Sequence, residues 1–311
     1  MIAACSNRKK IEPARILRAA SVPEGALLAV ASSWTGRVRA ATKRVRADAL
    51  YCGRSFVEAK AAARRLGADF YIVSAGLGLV RESAKIPPYS ATIVGSSRDN
   101  VLGRISDGKG APALAEWWRA LTRRSPVGNA LNAVVRQSSG LILIALPSAY
   151  LAMLAGDLVH VHGRSLRRVR IFTGAVPEAL PEKLRHLVMP YDDRFDGPDS
   201  DMRGTRTDFA SRALRHFVDR ILQDYPDGDL AVHARAVRTA LQGLRKAPVH
   251  ARLRRSDAEL INLIRKHWKE ADGKSGRMLR VLRDDLGIAC EQSRFVKLFA
   301  KTERIRARNV P

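Results

Sequence analysis

Four short polar segments each follow an apolar run: Cys5-Ser6-Asn7-Arg8-Lys9, Ser74-Ala75-Gly76-Leu77-Gly78-Leu79, Leu146-Pro147-Ser148-Ala149-Tyr150 and Tyr191-Asp192-Asp193-Arg194. Between them lie Tyr51-Cys52-Gly53-Arg54 and Pro87-Pro88-Tyr89-Ser90. Together they offer small hydroxyls, one amide, tyrosines, arginines and two carboxylates. A carboxylate or amide can position water, and fixed donors can stabilise a departing anion. Tyrosine rings can stack on a planar group, and basic side chains can grip phosphate. Other chemistries find no support. The three cysteines, Cys5, Cys52 and Cys290, have no paired spacing, which argues against a disulfide framework and a zinc site. His160 and His162 alternate on a possible strand, too little for a metal. Neither a Ser-His-Asp set nor a phosphate-cradling Walker loop is in evidence. No metal and no cofactor are expected.

These segments matter only if the elements before them bring them together. Ile2 to Cys5 reads as a short buried strand, Leu27 to Ala31 as a second strand, and Arg44 to Ala49 as helical. Ser55 to Leu66 is a stronger helix. Phe56, Ala59, Ala63 and Leu66 share one face, and Gly67 stands where a C-terminal cap is expected. Phe70 to Val73 follows as a strand. Ser74 to Gly110 is rich in glycine, serine and proline and is expected to be a long functional loop. Helices are expected around Ala111–Thr122 and Val127–Gln137. After them come a strand over Leu141–Leu146, a helix from about Tyr150 and a basic strand over Arg167–Phe172. A loop over Tyr191–Thr207 leads to an amphipathic helix over Asp208–Leu222. The β-α-β rhythm makes the fold class α/β, with parallel strands in a sheet covered on both faces. Ligands of such sheets bind beyond the carboxyl ends of the strands, so the polar segments are expected to converge there.

The turn cluster Tyr225-Pro226-Asp227-Gly228-Asp229 marks the expected boundary between an α/β domain over residues 1–225 and a small helical domain over 226–311. In that tail, Ser256-Asp257-Ala258-Glu259 is a capping box opening a helix. A second helix begins at Ser275 and ends at Gly287, and a third runs from Glu291 to about Arg304. Helix, short turn, basic helix is the pattern of a helix-turn-helix or winged helix. Arg294, Lys297 and Lys301 on the last helix become expected phosphate contacts. Charge points the same way: 55 Lys and Arg against 30 Asp and Glu give a net charge of +25. Such an excess attracts polyanions, nucleic acid foremost. No apolar run approaches the roughly 20 residues that span a bilayer. The start, Met1-Ile2-Ala3-Ala4-Cys5, lacks the basic stretch of a signal peptide. A cytoplasmic protein with no membrane partner is expected.

The ordered set Cys-Ser-x-x-Lys, Tyr-x-Gly-x-x-Phe, Ile-Val-Ser-Ala-x-x-Gly-Leu and Pro-Tyr resembles the YaaA-type peroxide-stress proteins and a related uncharacterised bacterial family. The matching residues are Cys5, Ser6, Lys9, Tyr51, Gly53, Phe56, Ser74, Ala75, Gly78, Leu79, Pro88 and Tyr89. The resemblance covers about residues 1 to 220. It implies a fold like that of uracil-DNA glycosylases, which place a water-positioning motif after the first strand and a Pro-Ser loop after a later one. Asn7 and Pro147-Ser148 occupy those places, although the familiar Gln-Asp-Pro-Tyr core is absent. The implied activity is a DNA glycosylase hydrolysing the N-glycosidic bond of a damaged or hypermodified base, as in modified phage DNA. Its partner is DNA, in duplex form with the base extruded. Asn7 and either Asp192 or Asp193 are the catalytic candidates. Ser6, Tyr51, Ser74, Tyr89, Ser148 and Tyr150 are the base contacts, and Arg8, Lys9 and Arg54 the phosphate contacts. A non-catalytic DNA-binding stress protein and an RNA base-modifying enzyme are the alternatives.

Overall fold

The computed structural model describes residues 1–107, 111–247 and 252–308. Contacts divide the chain into two units, one from Met1 to Ala247 and one after it. The first unit begins with strand β1 (Ile2–Ala4), helix α1 (Leu27–Ala40), β2 (Val45–Arg46), α2 (Ala47–Leu50) and α3 (Arg54–Arg65). There follow β3 (Tyr71–Ser74), β4 (Gly78–Arg81), β5 (Lys85–Ile86), α4 (Ala111–Thr122), α5 (Leu131–Gln137) and β6 (Ile142–Ala145). Next come α6 (Ser148–Val159), α7 (Gly163–Leu166), β7 (Val169–Phe172) and α8 (Glu182–Arg185). Finally α9 (Phe209–His216) runs through a π-turn at Phe217–Ile221 into α10 (Leu222–Asp224), and α11 (Leu230–Ala240) ends the unit.

The central sheet has the order β4-β3-β1-β6-β7. Strands β3, β1, β6 and β7 are parallel, and β4 is an antiparallel edge. β1, β6 and β7 are buried along their whole length, as strands covered on both faces must be. Helices α3 and α9 pack together as one cover, with α9 against β6 and β7; α1, α4 and α6 form the other.

Two expectations change here. Leu27–Ala31 is the first part of α1, not a strand. Val30, Trp34 and Val38 recur every fourth residue on its buried side, so burial along one helical stripe decides the segment. The unit boundary falls after Ala247, not at Tyr225. The turn at residues 225–229 is internal because α11 docks back through Val237 and His233, both fully buried. His233 Nδ1 accepts from Arg170 Nε at 2.9 Å, and its Nε2 lies 2.8 Å from the Tyr225 carbonyl. Arg170 is a buried cation in β7, and its guanidinium also donates to the carbonyls of Arg167 and Val169. Removing α11 would take away the His233 acceptor of that buried cation, so the helix belongs to the first unit.

The second unit holds β8 (Leu253–Arg254), α12 (Asp257–Lys266), α13 (Ser275–Arg280), β9 (Ile288–Ala289) and α14 (Gln292–Arg308). The capping box at Ser256 and Glu259 forms as expected. α13 runs on through a π-turn at Val281–Asp285, and Gly287 follows at φ +62°. Leu260, Ile264, Met278, Leu282, Phe295 and Phe299 make the unit's own core. β8 and β9 are a two-residue parallel pair, so no antiparallel wing is present among the described residues.

Candidate functional site

β1 and β6 are neighbours in the sheet, yet their connections lead to different covers: the crossover to β3 ends in α3, and the crossover to β7 runs through α6. A crevice opens beyond the strand ends at such a switch point. A cavity of about 280 Å³ fills it, bordered by Cys5, Asn7, Arg8, Gly53, Arg54 and Tyr150. Beyond β6 and β7 lies a second cavity of about 520 Å³, bordered by Ser148, Thr173, Tyr191, Asp193, Arg206 and Phe209. Pro147 and Thr207 line both, so the two cavities adjoin at these residues.

Backbone geometry shapes the smaller cavity. Gly53 precedes α3 at φ +116°, a conformation that favours glycine. A Cβ there would stand 2.8 Å from Ser6 Oγ. The first turns of α3 and α6 border the cavities, and neither Gly53 nor Pro147 caps its helix with a side chain. Their first N–H groups are therefore open to an anion, which the helix dipole also favours. Arg8 and Arg54 add charge to the same rim.

The other rim is acidic. Asp192 caps a short 3-10 turn and binds Arg194 through both carboxylate oxygens. The Arg194 guanidinium holds the Asp192 carboxyl below the usual range. Asp193 is exposed on the same rim and has no partner among the described residues. Of the two expected carboxylates, Asp193 is the one free to act. Behind it Arg212, fully buried, binds Asp208 at 2.6 Å, Asp196 at 2.8 Å and the Thr205 carbonyl at 3.0 Å. Burial alone would raise the Asp208 carboxyl, but hydrogen bonds from Arg212 and the Thr205 N–H outweigh it and the net shift is downward. This cluster fixes the segment carrying Arg206 and Thr207 over the cavities.

Asn7, Ser6, Arg8, Arg54 and Tyr150 meet at the smaller cavity, and Ser148, Asp192 and Asp193 at the larger one. Ser6 Oγ accepts from the Arg8 N–H at 3.1 Å. Tyr150 lies 3.5 Å from Cys5 Sγ through its hydroxyl, and burial keeps its phenol well above the usual pKa. Four expected contacts do not reach the opening. Ser74, Tyr89 and Tyr51 form a buried chain, with Ser74 Oγ 2.5 Å from Tyr89 Oη and Tyr89 Oη 2.8 Å from Tyr51 Oη. Ser74 also accepts from the Gly76 and Leu77 N–H groups. It staples the β3–β4 turn, whose Ala75 and Gly76 carbonyls accept from Trp117 and Trp34. The 74–79 segment is thus a buried hairpin turn, not a ligand loop, and β4 and β5 break up the long loop expected after it; residues 108–110 of that stretch lie outside the described residues. Lys9 turns inward: Nζ sits 4.5 Å from the centre of the Tyr89 ring and donates to the Ser6 carbonyl. Burial lowers its pKa, so it is not a surface phosphate contact. On α14, Arg294 is held by Asp257 and the Arg255 carbonyl, whereas Lys297 and Lys301 are exposed.

Four residues escape the sequence reading, Asp208, Arg212, Phe209 and His216, and Tyr191 stands in a polar segment there without an assigned role. The first two stand four apart on one helix, a legible ion-pair spacing. Tyr191 Oη lies 2.8 Å from His216 Nδ1 across 25 residues, a pairing that no local pattern reveals. Among the described residues no helix is long and apolar enough to cross a membrane. Nor does any group of His, Cys, Asp and Glu among them stand placed to hold a metal ion.

A family model described as "Family of unknown function (DUF6884)" matches residues 37–102. That span carries Tyr51, Gly53, Arg54 and Tyr89, but neither Asn7 nor the ends of β6 and β7. No curated protein and no solved structure matches the chain.

Proposed function

We propose that the first unit is a DNA glycosylase of the uracil-DNA-glycosylase-like kind, hydrolysing the N-glycosidic bond of a modified base. One observation carries this reading: of two adjoining cavities at the sheet's switch point, one is bordered by the cations Arg8 and Arg54 and the other by a free carboxylate, Asp193. Glycosidic cleavage builds positive charge on the sugar and negative charge on the departing base. Arg8, Arg54 and the open first turn of α3 suit the flanking phosphates. The first turn of α6, which borders the larger cavity, supplies fixed donors to the departing anion, and the Asn7 amide holds the sugar end. Asp193 positions the attacking water. The exposed Lys297 and Lys301 add phosphate contacts from the second unit.

The test is mass spectrometry of bases released from DNA substrates and phage genomes that differ in base modification. Release of one base together with abasic sites is the expected result. The pairing of Asp192 with Arg194 and of Asp196 with Arg212 favours a second reading, a DNA-binding protein that makes no cut. Tight binding without released base is the signature of that reading.

A further inference from the structure

We infer that the larger cavity seats the extruded base against the ring of Tyr191, and that His216 is the positioning residue for that ring. This rests on the glycosylase reading of the same two cavities and assigns them different parts of the nucleotide. The rings first suited to stacking by sequence are unusable, because Tyr89 is 0% and Tyr51 2% exposed beneath the sheet end. Tyr191 and Phe209 instead border the larger cavity and keep 9% and 8% of their surface exposed. Tyr191 is fixed from behind. Its ring meets Phe195 edge-on at 5.1 Å and Phe172 at 6.1 Å, and its hydroxyl is tied to His216 at 2.8 Å. An aromatic wall already held in place loses little freedom when a ligand packs on it.

Charge separates the two cavities. Arg8 and Arg54 border the smaller cavity, which suits sugar and phosphate. Asp192, Asp193 and Asp196 border the larger one together with Arg206, and because Arg194 neutralises Asp192 and Arg212 neutralises Asp196, little net charge is left there for a phosphate. A neutral heteroaromatic ring is the class of ligand that fits: apolar contact from Tyr191, Phe209 and Pro147, and edge hydrogen bonds from Ser148 and Thr173. The nucleotide therefore lies across the saddle at Pro147 and Thr207.

The experiment titrates the full chain with 2-aminopurine riboside and follows quenching of its fluorescence. Wild type quenches it. Tyr191→Leu weakens binding about tenfold, the scale of one base–aromatic stack, and Tyr191→Phe by much less. His216→Leu weakens it about threefold, and His216→Asn, which keeps an acceptor near the Nδ1 position, restores it. Near-UV circular dichroism identifies the variants that remain folded. A folded Tyr191→Leu variant that binds like wild type overturns the inference, as does a wild type that does not quench. Base release on the same samples keeps the two claims apart. Quenching lost in Tyr191→Leu, with no release by wild type, leaves the ring subsite standing and removes the glycosylase. Release by Tyr191→Leu at unchanged KM removes the subsite alone.

Discussion

Arg8 and Arg54 border the same cavity but are differently committed. The Arg8 side chain is exposed and has no partner among the described residues. Arg54 donates to the Arg203 carbonyl at 2.9 Å and lies 3.8 Å from Asp208 Oδ2. A free guanidinium meets phosphate by displacing counterions alone, so its loss shows directly in the salt dependence of binding. Arg8→Ala is expected to weaken DNA binding at every sequence and to lower the slope of log affinity against log salt by about 1. An unchanged slope would place Arg8 outside the DNA path. The residues named from sequence divide by the same criterion. The side chains of Asn7, Arg8, Ser148 and Asp193 have no partner among the described residues and border the cavities, as does the partly committed Arg54. Ser74, Tyr51 and Tyr89 satisfy one another out of reach of water. Their chemistry was legible in the sequence, but the direction of each hydroxyl depends on partners up to 38 residues away.

At the scale of elements, long apolar runs were easy to read. Ile142–Ala145 and Ser148–Val159 need burial on every side or along one stripe, and only one kind of element provides it. Leu27–Ala31 misleads because five apolar residues in a row suit a buried strand as well as the start of a helix. α11 was read outside its unit because nothing local announces that His233 will meet Arg170. That contact also makes the docking of α11 sensitive to acid. Burial lowers the His233 pKa, partly opposed by the Tyr225 carbonyl, and the Arg170 cation lowers it further while Asp229 raises it. The folded chain therefore takes up this proton at lower pH than the unfolded chain, whose histidine titrates near 6.5. Stability is full above that value and falls as pH drops below it, by no more than ~1.4 kcal/mol per pH unit from this group. Chemical unfolding at pH 7.5 and pH 5.5 should show the loss in wild type and a smaller loss in His233→Gln. Equal losses in both would remove His233 as the cause.

For the whole molecule, the net charge of +25 and the separate core of the second unit make distinct contributions. Lys297 and Lys301 lie on α14, in the second unit. Residues 1–247 alone are expected to release base while binding DNA several-fold more weakly, because part of the phosphate contact is gone. Release and affinity measured side by side on the truncated chain check this. Loss of release with retained affinity would show that the second unit takes part in the chemistry.

The most direct test of the central claim is the rate of abasic-site formation in Asp193→Asn and Asn7→Ala, measured beside DNA affinity, on whichever modified DNA the wild type cleaves. Loss of a positioned carboxylate is expected to slow cleavage about 100-fold, with affinity within about twofold of wild type because neither side chain meets phosphate. Cleavage at the wild-type rate in both variants, or no cleavage by wild type on any DNA it binds, would contradict the account.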